Sequence, residues 1–369
     1  MFSLRPIRAE ISLSALKHNY ALAKKLAPES QAFAVVKANA YGHGLERVAR
    51  ALSDADGFAT VELDSAIKLR EFGLRAPILM LEGFFDDKEL PYFSRHDLMP
   101  VIRDMEQINQ LAAADLTRPL DVFLKFNTGM NRLGLQGGAV GFALNTAANH
   151  RNIDAVTLMT HFATADGKLG IAAQLRRFEE ITKSATAIFK AKSFAQSLSN
   201  SAATFRYPET HRDWVRPGIM LYGSSPFADK SAASLDLKPV MALRSEIVAV
   251  QALQAGDSVG YGATYVAQKK MRIGIVACGY ADGYPRHAPG DNAQGTPVNV
   301  SGKRTRTIGR VSMDMLAVDI TEMSHIHKGA PVTLWGEGLP ADEVAVAAGT
   351  IAYELFCGIT ARVPMVDVE

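Results

Sequence analysis

The run Ala34-Val35-Val36-Lys37-Ala38-Asn39-Ala40-Tyr41-Gly42-His43-Gly44 ends an apolar stretch in a lysine, then turns to small, turn-forming and aromatic residues. A buried strand that delivers one amine to the mouth of a site has this form. An amine held out of water gives up its proton more readily than a surface lysine and can form a Schiff base with an aldehyde. Taken alone, Lys37 reads more readily as a surface lysine capping a strand, the commoner fate of a single lysine. Further apolar runs end in polar groups: Lys125-Phe126-Asn127-Thr128-Gly129-Met130-Asn131-Arg132, Thr160-His161-Phe162-Ala163, Asn200-Ser201 and Arg216-Pro217-Gly218-Ile219. Each has an ordinary reading: a satisfied core histidine for His161, surface ion pairs for Arg132 and Arg216, a turn for Gly218. Gathered at one mouth, two lysines, two arginines and several hydrogen-bond donors make an electropositive cavity for a phosphate ester or carboxylate. An amine for an aldehyde beside such a cavity points to a phosphate-bearing cofactor held by Lys37.

What must bring these groups together is a series of eight short apolar runs: Phe33–Val36, Gly57–Val61, Pro77–Leu81, Leu98–Ile102, Asp121–Phe126, Ala155–Met159, Ala195–Leu198 and Trp214–Leu221. Most lack polar alternation, as parallel strands buried on both faces do. Amphipathic stretches between them predict helices, among them Leu13–Leu26 with Ser12 as N-cap, Asp64–Phe72 and Ile171–Phe189. The alternation predicts an α/β unit over residues 1–233, an N-terminal (β/α)8 TIM-like barrel whose strand ends share one face. A doubly wound sheet is the rival, but the residues after Phe33–Val36 carry no glycine-rich phosphate loop. Beyond Asp229–Asp236, a small and polar segment that reads as a linker, the pattern becomes β-branched and alternating. Runs at Glu246–Val250, Arg272–Val276, Val298–Val300, Met315–Ile320 and Pro331–Trp335 predict an all-β, mainly β-strand C-terminal domain over 234–369, interrupted by one helix at Val344–Leu355. About the first eight residues are expected to pack with that domain.

Composition narrows the function classes. The 369 residues suffice for two domains, and 48% hydrophobic with 21% charged residues is ordinary for a soluble globular protein. A formal net charge of +2, without long runs of one sign, argues against nucleic acid or an anionic membrane as an obligatory partner. No apolar signal core follows Met1-Phe2-Ser3-Leu4-Arg5-Pro6, and no stretch approaches the roughly 20 residues of a membrane span. The only cysteines, Cys278 and Cys357, suggest free thiols in a reducing compartment, so a cytoplasmic location is expected. The nine histidines form no HExxH pair, and no metal is expected.

At these residues the chain resembles the bacterial alanine racemases, fold-type III enzymes that use pyridoxal 5'-phosphate (PLP). The resemblance runs from about Ile7 to Val366, on the motifs Ala34–Gly44, Lys125–Gly134, Met159–Asp166, Val215–Gly223, Val259–Tyr265, Cys278–Arg286, Ile308–Met315 and Tyr353–Pro364. It implies an isomerase that interconverts L- and D-alanine by two bases, Lys37 on the D-substrate face and Tyr261 on the L-substrate face. It further implies a homodimer in which Tyr261 and Met313 come from the opposing subunit. By the same resemblance Lys37 is the Schiff-base lysine, and Tyr41, Ser201, Gly218, Ile219 and Tyr353 hold the phosphate. His161 and Asn200 also border the cofactor, and Arg216 meets the pyridine nitrogen. Arg132 and the Met313 amide would hold the substrate carboxylate, Asp166, Tyr284 and Arg310 would form the entrance, and Lys125 matches a lysine carbamylated in many relatives.

Asn127 stands where the family commonly has aspartate, as in some catabolic-type members, which leaves more of the local anion requirement to the carbamate. The resemblance leaves open whether D-alanine goes to peptidoglycan or alanine is catabolised. A broad-specificity or serine racemase is the nearest rival. A fold-type III decarboxylase would present a carboxylate where this chain has Arg216, and a non-catalytic PLP-homeostasis protein would lack the β-domain.

Overall fold

The computed structural model describes residues 5–190, 192–289 and 292–369. Strand β1 (Arg8–Ser12) runs directly into the helix Leu13–Leu26, which opens where Ser12 Oγ accepts from the Ala15 amide at 3.1 Å. That bond satisfies one of the first-turn amides that have no partner inside the helix. Eight parallel strands follow: β2 (Gln31–Val35), β3 (Gly57–Thr60), β4 (Ile78–Met80), β5 (Leu98–Ile102), β6 (Leu120–Lys125), β7 (Ile153–Met159), β8 (Ala195–Ser197) and β9 (Trp214–Val215). They pair in the order β8-β7-β6-β5-β4-β3-β2-β9, so each pairs with its neighbour in the chain except at the seam, as a barrel requires.

The barrel nearly closes between β8 and β9. There the bridge Asn200–Arg216, the Arg216 amide on the Ser199 carbonyl (2.9 Å) and Ser197 Oγ on the Trp214 carbonyl (2.9 Å) hold the seam. Phe33 fills the interior, stacked on Trp214 at 3.9 Å and edge-on to Phe123 at 5.8 Å. The last apolar run is a strand only over Trp214–Val215, not to Leu221. After Pro217, which has no amide to give a ladder, the chain turns at Gly218 into a 3₁₀ helix, Ile219–Tyr222. Tyr222 is returned to the barrel through its hydroxyl, which donates to the Val35 carbonyl at 2.8 Å.

The second sheet comprises β1 with strands from the C-terminal part: β10 (Met241–Leu253), β13 (Met271–Val276), β14 (Pro297–Val300), β15 (Lys303–Ile308), β16 (Leu316–Asp319), β17 (Pro331–Trp335) and β18 (Met365–Val368). A separate two-stranded ribbon pairs β11 (Ser258–Val259) with β12 (Tyr265–Val266). Along the first half of β10 burial alternates residue by residue, the mark of a sheet with one face covered. Strand β1 lies between β10 (antiparallel) and β18 (parallel), with Ala9 and Ile11 fully buried, so Arg8–Ser12 belongs to this sheet. The short or highly charged strands β11, β12, β15 and β18 give no apolar run, and the sequence did not predict them.

The single helix expected over Val344–Leu355 is two, Ala341–Ala347 and Ala352–Gly358, broken at Gly349 with φ of +72°. The linker expected at Asp229–Asp236 is not free: Ala232 is buried with Ala23 and Met220. The second helix is wedged against the barrel. A Cβ on Gly42 (φ +77°) would lie 2.0 Å from the Phe356 carbonyl oxygen, so only glycine permits this approach. The wedge carries Tyr353 and Cys357 from the β-domain to the mouth of the barrel.

Candidate active site

The site begins with the turn after β2. Behind Lys37, the residues Ala38, Asn39, Ala40 and Tyr41 have φ of +53°, +52°, +56° and +51°, one turn of left-handed helix without a glycine. Such backbone costs about 1–2 kcal/mol per residue, so its surroundings must hold it. Asn39 Oδ1 accepts from the Leu45 amide at 2.8 Å. His43 Nδ1 lies 2.8 Å from the Tyr41 carbonyl and 3.2 Å from that of Ala40, which makes it the protonated nitrogen. Burial pushes His43 down to about 4, so the ring is neutral at physiological pH. The Tyr41 ring stacks on Tyr222 at 4.7 Å. The turn thus presents Lys37 at the rim of a cavity of about 750 Å³ and directs Tyr41 into its wall.

The barrel residues expected at the site line this cavity together: Lys37, Tyr41, Lys125, Arg132, His161, Asn200, Ser201, Arg216, Gly218 and Ile219, with Asp166 and Tyr353 at its side. Arg216 is fully enclosed. Its Nη1 donates to Ser197 Oγ (2.6 Å) and its Nη2 to the carbonyls of Thr160 (2.8 Å) and Leu198 (3.2 Å). Burial lowers the guanidinium to about 9, which still leaves it charged. His161 lies 3.5 Å from both Arg216 Nη2 and Asn200 Nδ2. Burial first, then the cations Arg216, Lys125, Arg132 and Lys37, hold it well below the usual histidine range, so it is a neutral ring. Lys125 is likewise buried, and burial with Arg132 and Arg216 nearby pushes its amine down to about 8.

One end of the cavity is lined by a glycine and hydroxyl groups. A Cβ on Gly218 would sit 2.8 Å from Tyr41 Oη, so the bare backbone here leaves room that a side chain would fill. Ser201 Oγ accepts from the Gly218 amide at 2.9 Å, and Asn200 Oδ1 caps the helix Ser201–Arg206 through the Ala203 amide at 3.0 Å. Burial raises Tyr41, and burial with Asp166 and Asp342 pushes Tyr353 up to about 12, so both hydroxyls stay protonated and can donate.

Glu62, Glu82 and Cys357 also line the cavity and were not expected. The two glutamates directly follow the runs ending at Val61 and Leu81, so the strand-end rule that found Lys125 applies to them as well. Cys357 carries no such signal.

Apart from Tyr353, the β-domain candidates do not line this cavity. Tyr261 and Met313 are 69% and 52% exposed, and Arg310 is exposed close to the Tyr261 turn, 3.0 Å from where a Cβ of Gly262 would lie. Tyr284 is a correction. It is no entrance residue: its side chain is buried and its ring stacks on Trp335 at 6.0 Å. The tyrosine of this motif that faces outward is Tyr280, whose amide donates to the Ser312 carbonyl at 3.0 Å beside Met313. Among the described residues no three His, Cys, Asp or Glu side chains form a metal site, no helix is long and apolar enough to cross a membrane, and both cysteines are free thiols.

Fold and site together define a barrel enzyme with lysine and arginine side chains around one cavity and an appended β-domain. The chain belongs to the alanine racemase family. Residues 11–226 match the family described as alanine racemase, N-terminal domain, and residues 240–367 match alanine racemase, C-terminal domain. It is 50% identical over 368 residues to the alanine racemase of Nitrosomonas eutropha, covering 99% of each chain. It is also 50% identical over 363 residues to the catabolic alanine racemase of Salmonella typhimurium, covering 98% of this chain and 99% of the other. The crystal structure of the biosynthetic alanine racemase from Pseudomonas aeruginosa superposes with a TM-score of 0.92 at 47% identity, over 99% of this chain and 100% of that one.

Proposed function

We propose that this protein is a PLP-dependent racemase that interconverts L- and D-alanine and acts as a cytoplasmic homodimer. The observation that carries the reading is Lys37 at the rim of the cavity whose floor holds the enclosed Arg216, in a chain of the alanine racemase family. The residues present fit the cofactor. The space beside Gly218, bounded by the protonated Tyr41 hydroxyl, suits a phosphate ester, with Ser201, Ile219 and Tyr353 around it. Arg216 and His161 suit the pyridine ring, and Asn200 supports His161. PLP, when bound, supplies an aldehyde that condenses with amines and a ring that withdraws electrons from the substrate Cα.

The chain's own groups then divide the work. Lys37 Nζ would hold the cofactor's aldehyde and, with substrate bound, would move the Cα proton on one face. Tyr261 Oη from a second copy of the chain moves it on the other face. Its exposure in a single chain, together with that of Met313, supports a site completed between copies. Arg216 would face the pyridine nitrogen as a donor that keeps its own proton, so the ring would be a weaker electron sink and return of the proton to Cα would be favoured. Arg132 and the Met313 amide hold the carboxylate, while Asp166 and Arg310 border the approach. Lys125, with its amine lowered to about 8, has a neutral fraction at neutral pH that can take up carbon dioxide. The resulting carbamate would place a negative charge among Arg132, Arg216 and Lys37. The same chemistry serves D-alanine supply to peptidoglycan or alanine catabolism.

The test is proton NMR in D2O with PLP-loaded protein and L-alanine, D-alanine or L-serine in separate samples, read beside a chiral assay. Loss of the alanine α-proton signal with inversion, well ahead of serine, is the expected result. Comparable rates for serine would make it a broad-specificity racemase. Absence of exchange with PLP bound would leave a cofactor carrier.

A further inference from the structure

Thr160 stands where two arms of the cavity meet. Its carbonyl accepts from Arg216 Nη2 at 2.8 Å, and its Oγ1 donates to the Phe126 carbonyl at 3.1 Å and lies 2.7 Å from Thr128 Oγ1. Thr128 is on the loop that leads to Arg132. From the helix Ala172–Phe189 outside the barrel, Gln174 reaches in. Its Nε2 donates to Thr128 Oγ1 and to the His161 carbonyl, both at 3.1 Å, and its Oε1 accepts from the Ala163 amide at 2.8 Å. Arg177 Nη1, one turn further on, donates to the Thr128 carbonyl at 2.8 Å.

Because Thr160 Oγ1 gives its proton to Phe126 and Thr128 Oγ1 accepts from Gln174, Thr128 donates to Thr160. The bonds therefore run in one direction: Gln174 Nε2 to Thr128 Oγ1 to Thr160 Oγ1 to the Phe126 carbonyl. All three side chains are buried, where bonds of one polarity reinforce each other and a missing partner is costly. Beyond Thr128 the loop is braced from within, since Asn127 Oδ1 accepts from the amides of Gly129 (3.1 Å) and Asn131 (3.0 Å). A loop that is stiff internally and tied at Thr128 moves as one piece, and Arg132 moves with it.

We propose that Thr128, Thr160 and Gln174 are positioning residues, a buried hydrogen-bond relay that fixes the span between Arg216 and Arg132 and so sets the grip on the substrate carboxylate. This rests on the reading above that Arg216 faces the cofactor ring and Arg132 the carboxylate. The relay touches neither ligand. Its loss shows in substrate binding before it shows in cofactor binding.

The experiment compares Thr128→Val, which keeps the side-chain shape and removes the hydroxyl, with Thr128→Ser, which keeps the hydroxyl. Thr128→Val should raise KM for alanine about five- to tenfold, the effect of one buried neutral hydrogen bond, with kcat and the visible absorbance of the bound cofactor within about twofold of the parent. Thr128→Ser should restore KM to within about twofold of the parent. Gln174→Glu, which sets a carboxylate oxygen against the His161 carbonyl, should raise KM further. Amide hydrogen exchange on the purified holoenzymes supplies a readout independent of turnover: residues 129–132 should exchange faster in Thr128→Val while the helix Leu13–Leu26 does not change. An unchanged KM in folded Thr128→Val, a parallel loss of PLP affinity, or failure of serine to rescue would overturn the relay. Should the parent protein fail to act on alanine, the racemase reading falls, and the exchange data still decide the relay, which is wrong if residues 129–132 keep the parent rate.

Discussion

The barrel and the β-domain treat their candidate chemistry in opposite ways. In the barrel, Arg216, His161 and Lys125 are enclosed, bonded or crowded by like charge, and each is displaced from its ordinary acidity. In the β-domain, Tyr261, Met313 and Tyr280 stand exposed, with Val266 and Met315 forming further exposed apolar surface. Burial shapes a group's acidity and orientation, whereas contiguous exposed apolar residues mark surface meant to be covered. On the proposed function, one chain would supply the part of the site that binds and orients, and a second copy would use the exposed part.

The sharpest way to break that division is to disable each half in a different chain. Lys37→Ala should abolish both alanine turnover and the Schiff-base absorbance with PLP. Tyr261→Phe should keep the absorbance and lose about 10²–10⁴-fold in the L-to-D direction, the range for removal of a positioned base. Mixed and allowed to exchange subunits, the two inactive proteins should recover about a quarter of parental activity, because half of the dimers are mixed and each of these holds one intact site. If the site lies within one chain, mixing restores nothing.

A second variant probes how finished the barrel half is. Gly218→Ala would place a methyl group 2.8 Å from Tyr41 Oη, and the Tyr41 ring cannot retreat freely because it stacks on Tyr222. Overpacking of this kind costs about 1–3 kcal/mol, so PLP affinity should fall about 5- to 150-fold by fluorescence titration. Affinity within about twofold of the parent would mean that the anion end yields more than its packing implies.

How far the sequence reveals all this also differs between the two regions. Barrel strands buried on both faces leave unbroken apolar runs, and polar residues at their ends face one cavity, so the gathering of Lys37, Lys125, His161 and Arg216 there is legible from position alone. The same rule extends to Glu62 and Glu82, which follow the second and third barrel runs. It overextended the last strand, because Ile219, Met220 and Leu221 are as apolar as a strand while Pro217 and Gly218 end the ladder. In the β-domain, type was legible and place was not. Two tyrosines four residues apart, Tyr280 and Tyr284, look alike in sequence, and Trp335, some fifty residues away, decides which one is buried. No local pattern reports that Tyr261 is exposed rather than part of its own chain's cavity lining.

The smallest effect comes from protons, and it too falls on the barrel. His43 is fully enclosed, and its acidity is displaced from 6.5 to about 4, chiefly by burial. Its folded-state pKa is depressed, so below about 6.5 the unfolded chain binds a proton that the folded chain refuses. Stability is therefore full above pH 6.5 and falls as pH drops toward 4, by about 3 kcal/mol over that window from this group. His161 acts in the same direction. Urea unfolding of the parent and of His43→Phe between pH 7.5 and 4.5 checks this, since carboxylates common to both cancel in the difference. The variant should be less stable at pH 7.5, where it lacks the bonds to the Tyr41 and Ala40 carbonyls, and the gap should narrow as the solution is acidified. A gap that stays constant with pH would show that His43 is reached by solvent, and that the left-handed turn behind Lys37 opens before the barrel unfolds.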